Sequence, residues 1–74
     1  SLLTLSFETA TGGKISNHIF FGENSYKLLE RAKKRCKKIS SKSKVMNLRQ
    51  TYLGNVITNQ MNMYEYDCIE DQFD

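Results

Sequence analysis

Proline and tryptophan are missing from this chain of 74 residues, cysteine occurs twice and histidine once. Each scarcity removes a class of protein. Two cysteines, Cys36 and Cys68, fall far short of the density with which small secreted domains replace a missing core. The expectation is therefore two reduced thiols in a reducing compartment, although the count alone also permits one Cys36 to Cys68 bridge. No Asn-X-Ser/Thr acceptor for glycosylation occurs. His18, Cys36 and Cys68 lack the short paired spacings that preorganise zinc ligands, so neither a metal nor a cofactor is expected. With a single histidine, a small ribonuclease site of the toxin kind would have to be built from Lys14, His18 and Tyr66. A lone strand histidine is more often a surface or hydrogen-bonded residue than a general base, and the chain is read as a non-enzyme.

Long apolar runs are also lacking. The start, Leu2, Leu3 and Leu5, is broken by Thr4, Ser6 and Glu8 and has no basic lead, and no run approaches the ~20 apolar residues of a membrane span. The expectation is a cytoplasmic protein without a membrane partner. No glycine loop of the P-loop type, RNP-type string or GxxG loop is present, and Gly12-Gly13 reads as a turn. A chain this short buries only ~60% of the surface its unfolded form exposes, which favours a binding surface over an enclosed active site.

What the chain does have is segregated charge. Nine basic residues, Lys27, Arg31, Lys33, Lys34, Arg35, Lys37, Lys38, Lys42 and Lys44, stand against the single acid Glu30, whereas Glu65, Asp67, Glu70, Asp71 and Asp74 meet no base at all. The net charge of +3 hides this polarity, and a polarised field steers oppositely charged partners.

Periodicity orders the elements. Leu3, Leu5 and Phe7 alternate with Thr4, Ser6 and Glu8 as in a half-buried strand, and Thr11-Gly12-Gly13-Lys14 suits a tight hairpin. A second strand is expected from Lys14 to about Phe21, with Ile15, Ile19 and Phe21 on one face, interrupted by Asn17. Asn24 or Ser25 can cap a helix with the stripe Leu28, Leu29, Ala32, Cys36 and Ile39, ending near Ile39 or Ser40, its opposite face a basic ridge. Ser40 to Lys44 reads as a flexible basic connector. From Val45 to Tyr66 a helix and a hairpin compete; the β-branched and aromatic content, with Gly54-Asn55 at the centre, favours the hairpin. Residues 69–74 read as a frayed acidic tail that is solubilising, binds a basic partner surface or competes for the basic helix.

The expectation is one α+β domain over 1–74 in two layers, an antiparallel sheet in the order ββαββ packed against one basic amphipathic helix. The nine basic residues are the expected contact with nucleic-acid phosphates. The alternative is an inhibitor or adaptor, of the type encoded by a phage or mobile element, docked by the same ridge on an acidic protein surface. The bias toward Lys, Asn, Ile and Tyr is that of an AT-rich genome. Phe20, Tyr52, Tyr64 and Tyr66 could stack on bases if they shared an exposed face, although core packing also claims them. A homodimer through an edge strand is a further expectation.

Overall fold

The computed structural model describes residues 3–70. Its elements are β1 (Thr4–Glu8), β2 (Gly12–His18), α1 (Ser25–Ile39), β3 (Ser43–Tyr52) and β4 (Met61–Glu70). The four strands form one antiparallel sheet in the order β1-β2-β4-β3, with α1 packed on one face. This is the expected two-layer ββαββ arrangement. Among the described residues no helix is long and apolar enough to cross a membrane.

The helix forms where its local signals place it. The Asn24 side chain accepts from the Lys27 N–H at 3.0 Å, satisfying one of the donors that a helix start leaves without a partner. Leu28, Ala32 and Cys36, four residues apart, are buried against the sheet. The helix stops at Ile39 because Ser40 is extended, its N–H still bonded to the Cys36 carbonyl. Ile15 and Tyr66 complete the core, and Val45, Tyr64 and Cys68 pack around it.

Which face the helix covers is decided by register. Ile15 lies opposite Ser6 on β1 and Tyr64 on β4, and Gly13 lies opposite Glu8 and Tyr66, so these positions share the helix side. The apolar side of β1 is therefore the uncovered one. Leu3, Leu5 and Phe7 are exposed, and Thr4 is buried in their place. Burial of Thr4 is offset by hydrogen bonds. Thr4 Oγ1 donates to Asn17 Oδ1 at 2.6 Å, Glu23 N–H donates to the same oxygen at 2.8 Å, and Asn17 Nδ2 donates to the Glu23 carbonyl at 2.9 Å. Asn17, an interruption of the inner face by apolar pattern, thus ties β1 and β2 to the segment that enters α1.

Several expectations change. Gly12 and Gly13 belong to β2 rather than to the turn, and none of the four glycines has positive φ. They are needed for close approach: a Cβ on Gly12 would lie 2.1 Å from the Tyr66 carbonyl oxygen, and one on Gly13 2.3 Å from the Tyr66 hydroxyl. Strand β2 ends at His18, not near Phe21; residues 19–22 form a turn in which His18 Nδ1 accepts from the N–H groups of Phe20 and Phe21. The hairpin between 45 and 66 turns at Val56 to Thr58, beyond Gly54, and is closed by a bridge between Asn55 and Asn59. The basic connector is a short turn: Ser43 N–H bonds the Ser40 carbonyl at 3.0 Å, and β3 begins at Ser43, which is buried. Ile69 and Glu70 pair with Lys44 and Ser43 inside the sheet, so the expected acidic tail is left with 71–74, outside the described residues.

The cysteines are not reduced thiols. Cys36 and Cys68 form a disulfide with Cα atoms 5.2 Å apart. The position four residues beyond Ala32 on the buried stripe meets the helix-facing side of β4, a neighbourhood that spacing in sequence does not reveal. The sheet has two edges, β1 and β3. β3 is broken by register shifts and by Asn47 in the left-handed region (φ 57°), whereas β1 pairs regularly with β2.

Candidate polyanion-binding groove

The covered sheet side leaves an open groove of about 600 Å³ between α1 and the polar side of β1. Ser6, Glu8 and Tyr66 line the strand side, and Lys27, Glu30, Arg31, Lys34, Arg35 and Lys38 line the helix side, with Glu23 at the end where the helix begins. The strand side offers the polar Ser6 and Glu8 because these, not the leucines, face the helix side, and Phe7 also borders the groove.

The cations divide by partner. Arg31 is bonded to the Glu23 carboxylate through Nε and donates to Ser6 Oγ at 3.0 Å. Arg35 lies 3.7 Å from a Glu8 carboxylate oxygen and donates to the Thr9 and Gly12 carbonyls, which pins the β1–β2 turn to the helix. Glu30 is matched with Lys33, outside the groove, at 3.7 Å. Among the described residues, the ammonium groups of Lys34 and Lys38 make no ion pair or hydrogen bond, and that of Lys27 adds only a longer-range pull on Glu23. Lys27, Lys34 and Lys38 are seven and four residues apart, so one face of the helix presents them over about 16 Å of axis. The two arginines build the groove, and the three lysines are left to offer charge.

Arg31 also sets the state of Glu23. Its hydrogen bond, opposed by desolvation and helped by its charge, holds that carboxyl below the ordinary 4.5. Tyr66 is buried, and burial pushes its phenol above the ordinary 10.0 against the pull of Arg35. The floor of the groove is neutral while its helix wall is cationic.

The remaining expected contacts are dispersed. Lys33 projects from the other side of the helix, Lys37 donates to the Ser41 carbonyl at 2.8 Å, Lys42 lies in the turn, and Lys44 enters β3. The aromatics do not form one platform: Tyr66 is in the core, Tyr64 packs against it, Tyr52 pairs opposite Met63 at the far end of β3, and Phe20 is in the turn after β2. Nor are Lys14, His18 and Tyr66 brought together. Lys14 lies on the opposite face of the sheet from Tyr66 and 3.8 Å from Glu65, and both His18 nitrogens are engaged, Nδ1 by backbone N–H groups and Nε2 by Gln60 Oε1 at 3.0 Å. Cys36 and Cys68, joined to each other, are not available as metal ligands.

Sequence reasoning found the five groove cations but not their division, and it missed Glu8, Glu23 and Ser6, which bind the arginines. The signal for Glu23 was present in its position beside the helix cap; that for Glu8 and Ser6 depended on the face of β1. Compared with protein-family models, curated proteins and solved structures, the chain matches none.

Proposed function

We propose that this is a non-enzymatic binding protein whose α1–β1 groove takes the phosphate backbone of a nucleic acid. The stripe of lysines at 27, 34 and 38 carries the reading. Charges that make no ion pair of their own stand along one wall at intervals of about 10 and 6 Å of helix rise, next to arginines already matched to Glu8 and Glu23. An anion entering the groove then displaces no internal ion pair and releases its own counterions. The reading replaces the nine-residue ridge by a smaller set, with Lys33, Lys37, Lys42 and Lys44 contributing field rather than contact.

The test is fluorescence anisotropy with mixed-sequence single- and double-stranded DNA and RNA at low and near-physiological salt. Lys34→Glu combined with Lys38→Glu should weaken binding about tenfold or more across sequences and flatten its salt dependence. Lys33→Glu with Lys37→Glu makes the same change in net charge away from the groove and should cost much less. Equal losses from the two pairs, or no binding of the unaltered protein at low salt, would refute the groove.

The second reading, an inhibitor or adaptor docked on an acidic protein surface, is favoured by one observation. A Cys36–Cys68 disulfide is characteristic of an oxidising compartment and weighs against the expected cytoplasmic placement. Under that reading a stoichiometric protein complex survives nuclease treatment and free nucleic acid binds weakly.

A further inference from the structure

The end of the molecule at which the helix begins carries no formal charge on its two loops. From Ile15 to Gly22 and from Gln50 to Tyr64 there is no Asp, Glu, Lys or Arg. The turn at 19–22 and the loop at 53–60 adjoin there: Ile19 N–H donates to the Gln60 carbonyl at 2.9 Å, and a Cβ on Gly54 would lie 2.7 Å from Ile19 Cγ2. These loops turn their large apolar side chains outward. Phe20, Phe21, Leu53, Val56 and Ile57 are exposed, from 59% at Val56 to 92% at Ile57.

Exposed loops normally give their backbone polar groups to water. Here side chains take that role for several of them. Asn55 Oδ1 accepts from the N–H groups of Ile57 and Thr58 at 3.0 and 2.8 Å, and Asn59 Oδ1 accepts from Met61 N–H at 3.0 Å. Asn62 Oδ1 accepts from Gly54 N–H at 2.9 Å, and Gln60 Nε2 donates to the Val56 carbonyl at 2.9 Å. In the other loop His18 Nδ1 serves Phe20 and Phe21, while its Nε2 is tied to Gln60 across the junction. Transfer of a backbone group out of water is costly when it loses its partner and much less so when the partner travels with it.

We propose that this end inserts into the interfacial region of a lipid bilayer, with Phe20, Phe21, Leu53, Val56 and Ile57 as the inserting side chains. No formal charge is present on these loops and several of their backbone N–H groups are already met by side chains within them, so what they chiefly offer is non-directional apolar surface. A bilayer boundary requires nothing more directional than that, whereas recognition of a particular protein draws on placed hydrogen bonds and charges. Insertion needs no membrane-spanning segment and does not use the lysine groove, so it stands or falls independently of polyanion binding.

Flotation with vesicles of pure phosphatidylcholine tests it, because a zwitterionic surface gives the basic helix no net charge to follow. The protein should float with the vesicles at millimolar lipid. Ile57→Asp and Phe21→Asp should each reduce the bound fraction about tenfold with an unchanged circular-dichroism spectrum, and Ile57→Trp should shift its emission to the blue on adding lipid. Lys34→Glu with Lys38→Glu should leave flotation unaltered. The proposal is overturned if the protein stays with the aqueous fraction, if the Asp variants float like the parent, or if binding requires anionic lipid and disappears with the lysine pair.

Discussion

Glu23 sits at the junction of three structures. Its backbone is bonded to Asn17, its carboxylate to Arg31, and its chain leads directly into the Asn24 cap. The carboxyl is held below the ordinary 4.5, chiefly by the Arg31 hydrogen bond, so the folded state binds this proton less readily than the unfolded state. The stability it contributes is present above about pH 4.5 and is lost as pH falls through the lower folded value. Glu23→Gln should accordingly flatten the acid limb of a stability profile measured by urea unfolding between pH 6 and 3. An acid limb identical to that of the parent would show that Arg31 is not matched to this carboxylate in solution. A cap and an acid before a basic helix were legible from neighbouring residues, but the bond from Arg31, eight positions along, needed the helix to turn its guanidinium back over the entry segment.

At the scale of elements, the sequence rules divide by the distance over which they act. Helix α1 was readable because its cap, its stripe and its end are set within a few residues. Strand β1 was readable as a strand, yet alternation cannot say which side will face the helix, and here that side carries Thr4, which is buried, with Ser6 and Glu8, which stay exposed. The glycines show the same division. Gly12-Gly13 looked like turn chemistry, but the pair sits in β2 because Tyr66 presses its backbone on one and its phenol on the other. Gly12→Ala would place a Cβ 2.1 Å from a backbone oxygen of the central strand β4, which cannot swing aside as a side-chain tip can. The expected cost is about 1–3 kcal/mol of unfolding free energy, measured by denaturant titration, as for other overpacked positions. Turn glycines chosen for positive φ would instead tolerate the change only at the price of backbone strain, a distinction that the amide pattern of β2 and β4 in the variant would reveal.

For the whole molecule, the core is small: among the described residues Ile15, Leu28, Ala32, Cys36 and Tyr66 are the buried apolar ones, while more large apolar side chains than these are exposed. A staple between layers matters in such a protein. The disulfide joins positions 32 residues apart and restricts the unfolded chain, an effect of about 3–4 kcal/mol in the loop-entropy description. Replacing both cysteines by alanine should lower the melting temperature by more than about 10 °C, and reductant should do the same to the parent but not to the variant. Melting curves insensitive to reductant would mean that the bridge adds nothing to the packing of α1 on β4. The molecule is also divided by chemistry, with the lysine groove beside the helix and the uncharged apolar loops at the end where the helix starts.

The order ββαββ, the helix limits and the separation of basic from acidic segments were determined by the sequence itself, since capping, periodicity and charge act between residues close in the chain. The helix-facing side of β1, the pairing of Cys36 with Cys68, the matching of Arg31 and Arg35 to Glu23 and Glu8, and the joining of the turn at 19–22 to the loop at 53–60 were decided only by tertiary structure. Each depends on strand register and on which face the helix occupies, and a one-residue change of register would turn every side chain of a strand to the other side without altering its alternating pattern.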